Sequence, residues 1–167
     1  GELRRYPDAA GATAALAAAI GVDAGRVVLT NGGAEAIAVV AAELGRGWVE
    51  APDFSLYERH LPALEPAAGR WRSNPRNPTG ELAAPGDAAA VWDEAFYALA
   101  TGSWTRGDDG AVVVGSFTKL FACPGLRAGY VLAPDEAFAE RVRRRRPAWS
   151  VSGLACALVP ELLALAD

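Results

Sequence analysis

The run Gly110-Ala111-Val112-Val113-Val114-Gly115 is apolar or glycine at every position and nowhere alternates with polar residues. A strand of that kind has no face for water, so both its faces must be covered, and helices packed on both sides of a sheet are the common way to do so. Weaker signals of the same sort, short apolar runs bounded by turn residues, lie at residues 26–30, 48–50, 88–92 and 126–133. Between them come stretches that read as helices: 9–20, closed by Gly21, then 34–44, 55–64, 135–145 and 151–166. Residues 69–79 are rich in proline and read as irregular. Strands alternating with helices predict an α/β fold with a mostly parallel sheet flanked by helices. A chain of 167 residues, 51% of them hydrophobic, is long enough to build such a core without disulfide staples.

Several function classes are excluded early. A net charge of -4 makes no field that would gather nucleic acid or an anionic membrane surface, so neither is expected as a partner. No apolar run approaches the ~18 residues of a membrane span. The first residues contain no apolar signal core, and a cytoplasmic location is expected. Two cysteines, Cys123 and Cys156, form neither a disulfide framework nor a metal-ligand spacing, and one histidine, His60, rules out a multi-histidine metal centre. No metal site is expected. Chemistry here falls to Lys, Asp, Asn, Arg, Tyr and backbone groups, or to a cofactor.

The strongest local signal follows the valine strand: Ser116-Phe117-Thr118-Lys119, then Pro124-Gly125-Leu126-Arg127-Ala128-Gly129-Tyr130. A lysine at the end of a buried strand is expected to be partly desolvated, which disfavours the ammonium and frees an amine for Schiff-base chemistry. The hydroxyls of Ser116 and Thr118 and the guanidinium of Arg127 are donors suited to a phosphate beside it. An unrelated surface lysine and arginine would account for the same spacing.

The whole string resembles the lysine signature of the aspartate-aminotransferase-like superfamily of pyridoxal-phosphate enzymes, fold type I. Three further stretches occur in that superfamily's order. Asn31-Gly32-Gly33-Ala34-Glu35 resembles its first phosphate loop, residues 73–80 (Ser-Asn-Pro-Arg-Asn-Pro-Thr-Gly) its Asn-Pro-x-Asn-Pro-Thr-Gly motif, and Trp92-Asp93-Glu94-Ala95-Phe96 its Asp-Glu-Ala-aromatic motif. The resemblance implies pyridoxal 5'-phosphate as cofactor and a role for each matching residue. Lys119 would carry the cofactor as a Schiff base and later move the substrate's proton. Asp93 would pair with the pyridinium nitrogen and keep it protonated. Asn77 would hydrogen-bond the phenolic oxygen. Gly32, Gly33 and Ala34, at a helix start, would offer backbone N–H groups to the phosphate together with Ser116, Thr118 and Arg127. Phe54 matches the aromatic that stacks on the ring, with Tyr57 as a competitor for that place. Tyr6 matches a tyrosine that reaches the phosphate of a neighbouring subunit, which implies a homodimer.

Within the superfamily two branches act on phosphorylated substrates, histidinol-phosphate aminotransferases and threonine-phosphate decarboxylases. Phe96 stands where many relatives have tyrosine, as in the decarboxylase branch. Residues 144–151 (Arg-Arg-Arg-Pro-Ala-Trp-Ser-Val) resemble a stretch of the cobalamin-pathway decarboxylases. The reading is therefore a lyase that decarboxylates L-threonine O-3-phosphate, with a histidinol-phosphate-type aminotransferase and a non-catalytic cofactor-binding relic as alternatives. The arginine run itself either complements a helix dipole or recognises a substrate anion. Superfamily members are about twice this length. Residues 1–167 are expected to be the cofactor-binding large domain, apparently shortened, with the small C-terminal domain absent.

Overall fold

The computed structural model describes residues 4–107 and 110–166. In chain order the elements are α1 (Ala10–Ile20), β1 (Val27–Thr30), α2 (Gly32–Leu44), β2 (Trp48–Val49), α3 (Leu56–His60), β3 (Arg70–Ser73), β4 (Val91–Asp93), α4 (Tyr97–Thr101), β5 (Val112–Ser116), α5 (Phe117–Leu120), β6 (Gly129–Leu132), α6 (Glu136–Arg145) and α7 (Gly153–Ala164). The strands form one sheet in the order β1-β6-β5-β4-β3-β2. β2, β3, β4 and β5 pair in parallel, while β6 runs antiparallel to both β5 and β1. Five strands therefore share one direction, and the mostly parallel sheet expected from the sequence is found.

Both faces are covered, as the valine run demands. On one side Val27, Leu29, Trp92, Val113, Tyr130 and Leu132 pack under α1 and α7, with Leu16, Ala155 and Val159 buried between. On the other side Val28, Trp71, Val91, Val112, Val114 and Val131 pack under α2, α3 and α6. Successive valines of β5 thus serve opposite cores, because strand side chains alternate faces. Helix ends are marked locally. Gly21 takes the left-handed conformation after α1, Asp135 accepts the Phe138 N–H at 2.7 Å to open α6, and Ser152 accepts the Ala155 N–H at 3.1 Å to open α7. No helix among the described residues is long and apolar enough to cross a membrane.

Three expectations need correction. The stretch 69–79 is not wholly irregular: Arg70–Ser73 is a strand inserted between β2 and β4. Two arginines concealed it. Arg72 is buried and reaches Asp87 at 2.6 Å, while Arg70 pairs with Glu50, so their charges are met without leaving the sheet. The helix expected over 55–64 is only Leu56–His60, since Leu61 turns extended before Pro62. The strand expected from residue 126 begins at Gly129, because Pro124–Leu126 forms a 3-10 turn.

The arginine run has a structural occupation. β1 lies at the sheet edge, where outward carbonyls invite another strand. Arg143 donates to the carbonyls of Gly25 and Val27 at 2.6 and 3.2 Å, and Arg146 donates to that of Leu29. Arg141 and Arg145 both reach Glu43 of α2 at 2.6 Å. These side chains close an edge and fasten α6 to α2.

Candidate active site

In a parallel sheet every strand delivers its following loop to the same end, so side chains distant in sequence meet there. The loops after β2, β3, β4 and β5 meet at a cavity of about 180 Å³ lined by Phe54, Tyr57, Ser73, Asn77, Asp93, Phe96 and Lys119. A neighbouring hollow of about 370 Å³ shares Asn77 and Phe96 and extends over Arg76, Leu99 and Ala100.

Asp93 ends β4 and is only 8% exposed. Its Oδ2 accepts the Tyr57 hydroxyl at 2.8 Å and its Oδ1 accepts the Ala95 N–H at 3.0 Å. Burial raises its pKa above the usual carboxylate value. The hydrogen bonds from Ala95 and Tyr57 pull it down, the charge of Asp53 pushes it up, and Lys119 pulls it down. Tyr57 itself is fully buried, and its phenol is pushed up by burial and then by the carboxylates of Asp93 and Asp53. This separates the two aromatics. Tyr57 lies in the core against Trp71, 5.7 Å between ring centroids, and holds Asp93 with its hydroxyl. Phe54 lies edge-on to Tyr57 at 5.6 Å and is 36% exposed at the cavity wall.

Lys119 departs from expectation in one respect: it is exposed rather than desolvated. The strand ends at Ser116, whose Oγ accepts the Thr118 N–H at 3.2 Å and turns the chain into α5. Phe117 takes the buried place beyond the strand, and the lysine two residues later stands clear of the sheet at the cavity rim. Its Nζ sits 4.9 Å from the centre of the Phe96 ring, a cation–π contact.

A second cluster lies at the start of α2. Gly32 adopts φ +79°, and a Cβ placed there would fall on the guanidinium of Arg127. A Cβ at Gly33 would touch Ser116 Cβ at 3.5 Å, and one at Gly129 would strike Gly32 C at 2.5 Å and Gly33 N at 2.6 Å. Glycines at 32 and 129 therefore let the first turn of α2 press onto the sheet between Ser116 and Arg127. The free N–H groups of a 13-residue helix, a hydroxyl and a guanidinium then converge, which is an anion site by its donors. Ala34 lies exposed on the same turn, and Thr118 follows on α5. Glu35 secures this turn by accepting the Asn31 N–H at 2.6 Å and the Ser150 hydroxyl at 2.9 Å.

The donor set suits a phosphorylated pyridine ring. A desolvated carboxylate would find its counter-charge in a protonated ring nitrogen, Asn77 and Phe54 stand at the walls, an amine stands at the rim, and the α2 cradle takes a phosphate. Tyr6 is not brought to this cavity. It stacks on Trp149 at 4.5 Å between ring centroids and is 76% exposed. Sequence reasoning overlooked Asp53 and Ser73, which join the loops after β2 and β3: Asp53 accepts the Ser73 N–H, 3.2 Å at Oδ2, and its hydroxyl. The turn residues Ala51-Pro52-Asp53 after a short strand were their available signal.

Comparison with known proteins fits this geometry. Residues 71–166 match the family described as Aminotransferase class I and II. The chain is 28% identical over 201 residues to histidinol-phosphate aminotransferase 1 of Dechloromonas aromatica, covering 93% of this chain and 55% of that protein. It is 49% identical over 43 residues to threonine-phosphate decarboxylase of Salmonella typhimurium, covering 26% of this chain and 12% of that protein. The crystal structure of L-threonine-O-3-phosphate decarboxylase from Porphyromonas gingivalis superposes with a TM-score of 0.82 at 26% identity, covering 98% of this chain and 61% of the other. The chain thus spans about half the length of its full-length relatives.

Proposed function

The chain belongs to the aminotransferase class I and II family of pyridoxal 5'-phosphate enzymes, and from that premise we propose that it acts on a phosphorylated amino acid, removing CO2 from L-threonine O-3-phosphate. The observation that carries the reading is the buried Asp93 carboxylate, held by Tyr57 and Ala95, in one cavity with Lys119. When bound, pyridoxal 5'-phosphate supplies an aldehyde that joins amines covalently and a ring that accepts an electron pair. Lys119 would provide the amine that holds the cofactor and would move the proton at the substrate's α-carbon, delivering it there after CO2 leaves. Asp93 holds the proton on the ring nitrogen. Asn77 donates to the phenolic oxygen, and Phe54 covers one ring face. Backbone N–H groups of Gly32, Gly33 and Ala34, with Ser116, Thr118 and Arg127, hold the phosphate. Tyr6 is assigned to the phosphate of a second subunit in a homodimer, for which its exposure leaves it available.

Decarboxylation and amino transfer differ in which substrate bond the protein holds perpendicular to the ring. Phe96 supports the first by its resemblance to the decarboxylase branch at this position, and so does the 49% identity over 43 residues to the Salmonella decarboxylase. The longer match to a histidinol-phosphate aminotransferase favours a second reading, amino transfer from histidinol phosphate. Offering each substrate with 2-oxoglutarate separates them. CO2 from threonine phosphate without glutamate formation is expected. Glutamate formed from histidinol phosphate would replace the first reading with the second. No product from either in unreduced protein, when borohydride treatment of a separate sample fixes the cofactor on Lys119, would mark a cofactor-binding relic.

A further inference from the structure

Two loops must be held in register for the cavity walls to face Asp93. One follows β2 and carries Phe54, and the other follows β3 and carries Asn77. Neither Phe54 nor Asn77 lies on a strand. What joins the loops is a chain of hydrogen bonds, part-buried at Ser73 and reaching the surface at Phe54. The Asn77 N–H donates to Ser73 Oγ at 2.7 Å, the Ser73 hydroxyl donates to Asp53 Oδ1, and the Phe54 N–H donates to the same Oδ1 at 2.7 Å. The Ser73 N–H adds a bond to Asp53 Oδ2 at 3.2 Å.

The polarity of this chain is fixed by its ends. A backbone N–H only donates, and an ionised carboxylate only accepts, so the one proton of the Ser73 hydroxyl must point to Asp53. The serine is also fixed from beneath. Ser73 pairs with Asp93 across β3 and β4, and the Asn74 N–H donates to the Asp93 carbonyl at 2.8 Å. Both loops are therefore referenced to the strand position that presents the Asp93 carboxylate.

We propose that Asp53 and Ser73 form a clasp that positions Phe54 and Asn77 against Asp93, setting the width of the slot that receives the cofactor ring. Asp53 and Ser73 are positioning residues. This rests on the pyridoxal 5'-phosphate reading for the slot's occupant, but the clasp itself is testable without it. The clasp serves the ring and not the phosphate cradle, which is built from α2, Ser116 and Arg127. Its loss should therefore weaken one ligand and spare the other.

The test uses the chain with Ser73→Ala, Ser73→Thr and Asp53→Ala, titrated calorimetrically with pyridoxal 5'-phosphate and separately with inorganic phosphate. Ser73→Ala and Asp53→Ala should each weaken pyridoxal 5'-phosphate binding about tenfold, with phosphate affinity unchanged within about twofold. Ser73→Thr, which keeps the hydroxyl, should restore most of the loss. Amide hydrogen exchange gives a second readout that needs no ligand. The Asn77 amide should exchange at least about tenfold faster in Ser73→Ala, and the Phe54 and Asn77 amides both faster in Asp53→Ala, which removes the acceptor altogether. Unchanged exchange at Asn77 in Ser73→Ala would overturn the clasp, as would equal losses for both ligands or no rescue by threonine. Wild-type chain that takes up no pyridoxal 5'-phosphate would instead overturn the functional reading, leaving the exchange measurement to decide the clasp.

Discussion

Replacing Tyr57 by Phe removes one oxygen atom and tests the electrostatics of the site directly. The ring is fully buried and stays in place, so no cavity of consequence opens against Trp71. What is lost is the 2.8 Å bond to Asp93 Oδ2. A hydrogen bond to a charged, buried acceptor contributes about 1.5–3 kcal/mol. In a chain of this size each kcal/mol moves the melting temperature by about 2–4 °C, so the variant should melt about 3–12 °C lower at neutral pH. The pH dependence has a definite sign. Burial already holds the Asp93 pKa above its unfolded value of 3.8, and the Tyr57 bond works against that rise, so removing it raises the folded pKa further. Ionising Asp93 therefore costs stability as pH climbs above about 4, and costs more in the variant. The gap between wild type and Tyr57→Phe should be widest near pH 7 and narrow as acid protonates the carboxyl in both. Calorimetric melts of the cofactor-free proteins from about pH 4.5 to 7.5 read this out. A gap below about 1 °C at pH 7, or one that widens on acidification, would refute the claim that Tyr57 holds an ionised Asp93.

Two further variants probe the neighbouring parts. Gly32→Ala forces a side chain into φ +79° and onto the flexible end of Arg127, so the guanidinium gives way rather than the backbone. A stability loss of about 1–2 kcal/mol is expected, together with a larger proportional loss of pyridoxal 5'-phosphate affinity, and intact affinity in a calorimetric titration would remove Arg127 from the phosphate site. Asp93→Asn should raise the neutral-pH melting temperature of the cofactor-free chain, because a buried charge is gone, with the gain fading toward pH 4. The same change should lower turnover at least about a hundredfold while borohydride still fixes the cofactor on Lys119. Near wild-type turnover would argue against its pairing with the ring nitrogen.

The amino-acid order by itself determined the architecture and the chemistry-bearing motifs. The unbroken apolar run at 110–115 has only one comfortable setting, a strand covered on both faces, and β5 occupies it with cores on either side. The lysine, Asp-Glu-Ala and Asn-Pro-Thr-Gly segments were equally legible, because each is local in the chain. What remained hidden depends on partners far away in sequence. β3 was concealed by Arg70 and Arg72, whose charges are met by Glu50 and Asp87 only after folding. The exposure of Lys119 follows from Phe117 taking the buried place after the strand. The arginines at 143 and 146 look like a ligand site until an edge strand is laid beside them. Tyr57 became the support of Asp93, and Asp53 the partner of Ser73, only when parallel strands brought their loops to one end of the sheet. Hydrophobic pattern acts along the chain and can be read there, whereas the pairing of a buried polar group is a property of the place where it comes to rest.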